Sequence, residues 1–246
     1  DCIIIVFILV ACIIFLQHYL LFVERRPRDL FGDFELRSYL LVAFAAVVLI
    51  APTLVLFNGY DPERAIRGAT FQVSAIITTT GFGTENFELW YPLAQMILFG
   101  LMFVGGCTGS TAGGLKVARF VLLARVVGRE FRRMVERHGV FTVRLGGKVT
   151  PETTIQSLLS LIYLAFVVLA VSCLLLAAQG VDLLTSIAAS VACMFNIGPG
   201  FGSVGPAENY AHLPALSKWV LMVCMVAGRL EFYTLIVLLT PDFWKK

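Results

Sequence analysis

Residues 38–57 and 152–178 are two runs of almost wholly apolar sequence. Each is as long as the roughly 18–20 residues that a helix needs to cross the hydrocarbon core of a bilayer. Inside a bilayer every backbone polar group must be satisfied within the protein, so runs of this length dictate spanning helices. The rest of the chain agrees. Of its 246 residues 59% are hydrophobic and 14% charged, with mean hydropathy +0.87, against about 25% charged residues in an average soluble domain. The composition predicts a polytopic, all-α membrane protein with no soluble domain of any size.

Charge distribution orients these spans. Between Lys116 and Lys148 lie nine Lys or Arg and two Glu. A basic patch of this kind suits nucleic acid in a soluble protein. In a membrane protein it reads as a cytoplasmic loop, by the bias of basic residues toward the inside, and no nucleic acid is expected as a partner. Residues 2–23 form a first apolar, helix-length run, closed on the inner side by Glu24-Arg25-Arg26-Pro27-Arg28. Span 38–57 then runs outward, a third begins near Pro92 and runs inward, 152–178 runs outward, and a fifth runs inward from about Pro214 to Leu239. Trp244, Lys245 and Lys246 suit an inner interface, which puts the C-terminus in the cytoplasm.

The chain opens on Asp1 inside an apolar run with no charged region before it, so this run is not a signal peptide and the sequence reads as the interior of a longer one. Its six cysteines lie singly in apolar or Gly-rich sequence, without metal-ligand spacing, and read as reduced. No nucleophile, base and acid set appears, so an enzyme is not expected.

The informative stretches lie between the spans. Asn58-Gly59-Tyr60-Asp61-Pro62-Glu63 carries a helix start: Asp61 as N-cap, Pro62 at the first helical position, Glu63 at the positive dipole end. The helix predicted over about 62–77 is too short to cross a membrane at about 1.5 Å per residue. It must enter and return. It leads to Thr78-Thr79-Thr80-Gly81-Phe82-Gly83-Thr84, a loop of hydroxyls and glycines free of side-chain charge. Such a backbone can turn carbonyl oxygens toward a dehydrated cation, and the helix C-terminus adds a partial negative charge. Gln179-Gly180-Val181-Asp182 repeats the start, a helix is predicted over about 183–194, and Phe195-Asn196-Ile197-Gly198-Pro199-Gly200-Phe201-Gly202-Ser203 follows. From residues alone, Gly81 can be matched with Gly198 or with Gly200. TTTGFGT by itself also suits a β-turn; its place after a capped half-length helix, twice, is what makes it specific.

Two further features sit within spans. The third span breaks after Val104 at Gly105-Gly106-Cys107-Thr108-Gly109-Ser110-Thr111-Ala112-Gly113-Gly114 and resumes as helix at Leu115. Each glycine costs a helix about 1 kcal/mol relative to Ala. Gly105, Gly109 and Gly113 have the spacing of close helix packing; the other reading is an unwound segment lining a permeation path. Arg229 lies deep in the fifth span, where an arginine costs roughly 2.5–3.5 kcal/mol. It reads as a pore-facing barrier charge, a snorkelling side chain or half of an ion pair. Glu231 at i+2 is off its helical face. Lys116 is a second pore charge or a snorkelling residue at the inner mouth.

Thr79-Thr80-Gly81-Phe82, Gly105 to Lys116, Asn196-Ile197-Gly198-Pro199-Gly200, Gly228-Arg229-Leu230-Glu231 and Thr240-Pro241-Asp242-Phe243-Trp244 together resemble the TrkH-type potassium transporters of the Trk/Ktr/HKT superfamily. The resemblance covers nearly the whole chain. It implies two span, re-entrant pore helix, filter loop, span repeats plus one preceding transmembrane helix, half of a four-repeat potassium-channel-like pore. Residues 1–37 would be the last helix of a preceding repeat with its linker, 38–149 the third repeat, and 150–246 the fourth. By resemblance K+ is held at Thr78, Thr79, Thr80, Gly81 and Phe82 and at Asn196, Ile197, Gly198 and Pro199. Gly105, Gly106, Gly109, Ser110, Thr111, Gly113 and Gly114 would form an intramembrane gating loop, with Arg229 as the pore arginine. The family also implies the missing N-terminal half of the same pore, a homodimer, a cytosolic TrkA/KtrA-type nucleotide-binding ring and the bacterial inner membrane. Two other functional classes remain from the residues: an ion-coupled secondary transporter with broken helices, which the scarcity of midplane carboxylates disfavours, and a non-transporting scaffold packed through glycines.

Overall fold

The structure, a computed structural model, describes residues 1–25, 32–136, 139, 141–230, 237, 240, 243 and 244. Its helices are α1 (Cys2–Ala11), α2 (Phe15–Phe22), α3 (Phe34–Asn58), α4 (Pro62–Ile77), α5 (Pro92–Leu101), α6 (Val117–Val135), α7 (Glu152–Ala177), α8 (Leu183–Met194) and α9 (Ala215–Arg229). A two-stranded hairpin, β1 (Arg144–Leu145) and β2 (Lys148–Val149), lies between α6 and α7. Helices α3 and α7 are long and apolar enough to cross a membrane.

The caps set the boundaries. Asp61 accepts from the Glu63 N–H at 3.2 Å, Pro62 opens α4, and the helix ends at Ile77. Asp182 accepts from the Thr185 N–H at 3.0 Å and starts α8. Gly59, with φ of +68°, ends α3 in the left-handed conformation that a glycine reaches without strain.

The run 2–23 is not one helix, contrary to the sequence expectation. It breaks at residues 12–14 between α1 and α2. The break is made by tertiary contacts: the Ala11 and Cys12 carbonyls at the end of α1 accept bonds from Thr111 and Cys107 of the Gly-rich stretch. The expected fifth span follows α9 as far as Arg229; Glu231 and the expected continuation to Leu239 lie outside the described residues apart from residue 237, as do Arg26–Arg28, Pro241, Asp242, Lys245 and Lys246.

The core is built around the two short helices. In α4, Ala65, Ala69, Val73, Ile76 and Ile77 are all but fully buried, packed in one cluster with Ala43, Ala46, Ile50 and Leu54 of α3. In α8, Ala188 to Met194 are buried between α7 and α9. Small side chains at these contacts let backbones approach closely, which suits helices that gain little from burying apolar surface when their surroundings are apolar too. The long helices turn their large residues outward: Leu41, Phe44 and Leu56 on α3, and Tyr163, Phe166 and Leu174 on α7, are exposed.

Candidate functional site: two loops beneath capped half-length helices

The chain follows the same path out of both short helices. Thr79 (φ +54°) and Asn196 (φ +56°) are left-handed although neither is glycine, and each is followed two residues later by a left-handed glycine, Gly81 (+72°) and Gly198 (+111°). The Thr80 N–H reaches back to the Ala75 carbonyl at 2.9 Å, and the Ile197 N–H to the Ala192 carbonyl at 2.9 Å. Thr79 N–H bonds Ile76 O at 3.0 Å; Asn196 N–H bonds Cys193 O at 3.1 Å. The backbone therefore matches Gly81 with Gly198, not with Gly200. A left-handed non-glycine residue is sparsely populated, and its occurrence at equivalent points of two loops marks strain held by the surrounding structure.

The two loops lie side by side. A Cβ on Gly81 would stand 1.9 Å from the Ile197 carbonyl oxygen and 3.0 Å from Pro199 Cδ. The preceding carbonyls of the second loop press on other glycines. A Cβ on Gly228 of α9 would stand 1.7 Å from Met194 O, and one on Gly113 would stand 2.6 Å from Phe195 O. Glycine is required at these positions because a backbone oxygen occupies the side-chain space. The Gly198 carbonyl accepts from Tyr210 Oη at 2.6 Å, and Asn196 Nδ2 donates to Met225 O of α9 at 3.1 Å.

The threonine hydroxyls are engaged within the protein. Thr78 Oγ1 donates to Ser74 O at 2.6 Å and sits 2.8 Å from Thr80 Oγ1; Thr79 Oγ1 accepts the Gly113 N–H at 2.7 Å. They tie the loop to its helix and to the Gly-rich stretch. Thr80, Phe82, Gly83, Thr84 and Gly198 are exposed.

The Gly-rich stretch lies against these loops. Its ends pair with each other: Gly105 N–H bonds Leu115 O at 2.8 Å and Val117 N–H bonds Gly106 O at 3.2 Å. Gly113 and Gly114 pack on Gly105, where a Cβ would stand 2.2 Å from Gly113 O. Gly109 turns at φ +72° next to Ile14, and Ser110 Oγ donates to Cys107 O at 2.6 Å. Arg229 Nη1 donates to Thr111 O at 2.9 Å, and Lys116 Nζ donates to Ala112 O. Gly113 thus ties this stretch to both loops and Thr111 ties it to Arg229 of α9, whereas Gly109 faces Ile14 and Ser110 bonds within the stretch. The sequence reading missed Glu35, buried at the start of α3, which accepts from the Thr108 N–H at 2.6 Å and from Thr108 Oγ1 at 2.8 Å. It also missed Glu88, whose Oε1 accepts the Gly202 N–H at 2.6 Å. Glu35 lies in the first turn of a helix, where a carboxylate is ordinary, and no sequence signal links it to Thr108.

The cytoplasmic-type segment has its own anchor. Arg129 of α6, 7% exposed, makes bonds of 2.7 and 3.1 Å to the two carboxylate oxygens of Glu152 and thereby holds α6 to the start of α7.

Comparison with known proteins gives this arrangement its context. The model of the TrkH family, cation transport proteins, matches residues 2–246. The Trk system potassium uptake protein TrkH of Escherichia coli (strain K12) is 36% identical over 247 residues, 100% of this chain and 51% of the relative. The protein of the same name from Halomonas elongata is 35% identical over 243 residues, 98% of this chain and 49% of the relative. The crystal structure of the potassium transporter TrkH from Vibrio parahaemolyticus matches with a TM-score of 0.91 at 34% identity, covering 98% of this chain and 52% of that one. The chain spans about half the length of the relatives it matches. On this evidence the chain belongs to the TrkH cation transport family.

Proposed function

We propose that this chain supplies half of a potassium uptake pathway across the bacterial inner membrane, with its C-terminus in the cytoplasm. The carrying observation is the matched pair of left-handed loops, Thr78–Phe82 and Asn196–Pro199, side by side at the ends of two half-length helices. Both helices point C-terminal carbonyls, with their partial negative charge, at the same region. The ion would pass along the exposed side marked by Thr80 and Gly198. Backbone carbonyls of the two loops are its ligands, since the Thr78 and Thr79 hydroxyls are engaged within the protein. K+ is the transported ion, as in the potassium uptake proteins that the chain resembles.

Residues 38–149 and 150–246 are the two repeats, and residues 1–37 carry the last helix of a preceding one with its linker. Two loops cannot surround an ion, so the remaining oxygens come from two further loops, contributed by the half of the relatives that this chain does not match. Gly105–Gly114 is the gate beneath the filter, with Arg229 and Lys116 as its charges. A homodimer and a cytosolic nucleotide-binding ring complete the assembly by family likeness.

The test is selectivity. Gly81→Ser, in the protein carrying a complete pore, places a side chain against the Ile197 carbonyl. Uptake of Rb+ into vesicles, competed with K+ and Na+, should lose most of its preference for K+. Unchanged preference would remove Gly81 from the filter.

A further inference from the structure

The Gly-rich loop has two parts. Its stems, 103–106 and 113–117, are bonded to each other through Gly105, Leu115 and Val117. Its tip, 107–112, closes on itself through Ser110, whose N–H and hydroxyl both bond the Cys107 carbonyl, and is also tied to its stem and its surroundings. On one side Arg229 and Lys116 take the carbonyls of Thr111 and Ala112. On the other side stand two acids at the start of α3, Asp33 and Glu35, of which Glu35 bonds the tip. Glu35 is 5% exposed, and one of its oxygens, Oε1, accepts both the backbone N–H and the hydroxyl of Thr108, 73 residues away. Among the described residues its carboxylate takes bonds from Thr108 alone. Cys107, next to Thr108, is fully buried and bonded to the Cys12 carbonyl.

A buried carboxylate needs donors, and hydrogen bonds to an ionised group are roughly twice as strong as neutral ones. Glu35 also sits in the first turn of α3, where the helix dipole stabilises its charge. The tip is therefore held by Arg229 and Lys116 on its C-terminal side, by the Ala11 and Cys12 carbonyls at the end of α1, and by the Glu35 carboxylate on its N-terminal side. Loss of any tether frees a segment already rich in glycine.

We propose that Glu35 is the latch of this loop: a positioning residue, remote from the ion, whose carboxylate holds the tip across the pathway through Thr108. The proposal rests on reading Gly105–Gly114 as the gate. Glu35→Gln keeps the size of the side chain and removes the charge; Thr108→Ala removes the hydroxyl donor; Thr108→Ser keeps it.

In the full protein reconstituted in vesicles, Glu35→Gln and Thr108→Ala should each raise Rb+ uptake about fivefold while the K+ over Na+ preference is kept. The double variant should exceed neither single, because both act on one bond pair, and Thr108→Ser should behave as the parent. Alkylation of Cys107 by a membrane-permeant thiol reagent, followed by peptide mass, should speed up in both fast variants and not in Thr108→Ser. If Glu35→Gln does not fold, the Thr108 pair carries the test. Arg229→Ala is the control for the gate itself. Faster uptake in Arg229→Ala with parental uptake in Glu35→Gln and Thr108→Ala would overturn the latch and leave the gate. Parental uptake in all three would overturn both. Lost K+ preference instead of faster uptake would place Glu35 in the support of the filter and overturn the latch.

Discussion

The two span and half-helix units, 38–135 and 152–229, carry the same turn and differ around it. In both, a helix capped by Asp ends in a left-handed non-glycine residue, and a left-handed glycine follows. The first short helix has 16 residues and the second 12. The first loop is packed inward, with Gly81 sealed against the Ile197 carbonyl; Gly198 has nothing within 4 Å of its Cβ position. After the loops, the first unit continues through α5, an interrupted stretch and α6, whereas α9 of the second runs unbroken from Ala215 to Arg229. The comparison separates two requirements. The turn after the short helix is common to both units and belongs to what both loops do. Among the described residues the following helix breaks in the first unit alone, and α9 of the second, with Gly228 and Arg229, packs against the second loop and the Gly-rich stretch.

The sharpest way to break this comparison is to make one substitution at both matched glycines. Alanine at either position meets an unfavourable positive φ, worth about 1–3 kcal/mol. At Gly81 it also meets a backbone oxygen at 1.9 Å, and neither partner is the end of a flexible side chain. Gly81→Ala, like Gly81→Ser, should keep Rb+ uptake but lose most of its preference for K+ over Na+, while Gly198→Ala should keep at least tenfold more of that preference than Gly81→Ala. Equal losses would mean that the turn itself, and not the packing of one loop on the other, is what selectivity requires.

Local chemistry was legible in the sequence and long-range contact was not. Asp61-Pro62 and Asp182 mark helix starts through bonds that span two or three residues, and α4 and α8 begin where those residues put them. The break at 12–14 lies in uniformly apolar sequence, and the bonds that make it come from residues 107 and 111. Glu35 has the same problem in reverse: a carboxylate at a helix start explains itself locally, so its distant partner leaves no trace. The match of Gly81 with Gly198 stood beside a second alignment because Gly81-Phe82-Gly83-Thr84 reads like Gly200-Phe201-Gly202-Ser203; the backbone angles choose Gly198. The threonine hydroxyls bond within the protein, as hydroxyls next to a helix end are able to do, and the sequence holds no sign of the Thr79 bond to Gly113.

A second test exchanges a contact between the units. Ser190 of α8 bonds Ser172 of α7 at 2.8 Å, both buried. The matching place in α4 is Val73, fully buried among apolar neighbours. Ser172→Ala alone leaves Ser190 without its partner and should destabilise by about 1–2 kcal/mol. Ser172→Ala with Ser190→Val, which copies the first unit, should recover most of that loss. Thermal unfolding in detergent reads both. A double variant as weak as the sum of its singles would show that the second unit depends on a polar tie that the first does without.

The smallest difference is at the caps. Asp61→Ala and Asp182→Ala each remove a side-chain acceptor at a helix start, commonly worth about 1 kcal/mol. In α4 the loss is softened, because Pro62 has no N–H to satisfy and Glu63 stands in the first turn. The first two residues of α8 are leucines, so Asp182 is the only acid at that end, and the Thr185 N–H draws its carboxyl below the ordinary carboxylate range. Asp182→Ala should therefore cost more thermal stability than Asp61→Ala. Because the native carboxyl is depressed, its contribution is full above the ordinary carboxylate range and fades as pH falls through the depressed value. The gap between parent and Asp182→Ala should close on acidification. A gap that persists in acid would mean that the aspartate acts through its neutral hydrogen bonds, and that the two caps differ in geometry rather than charge.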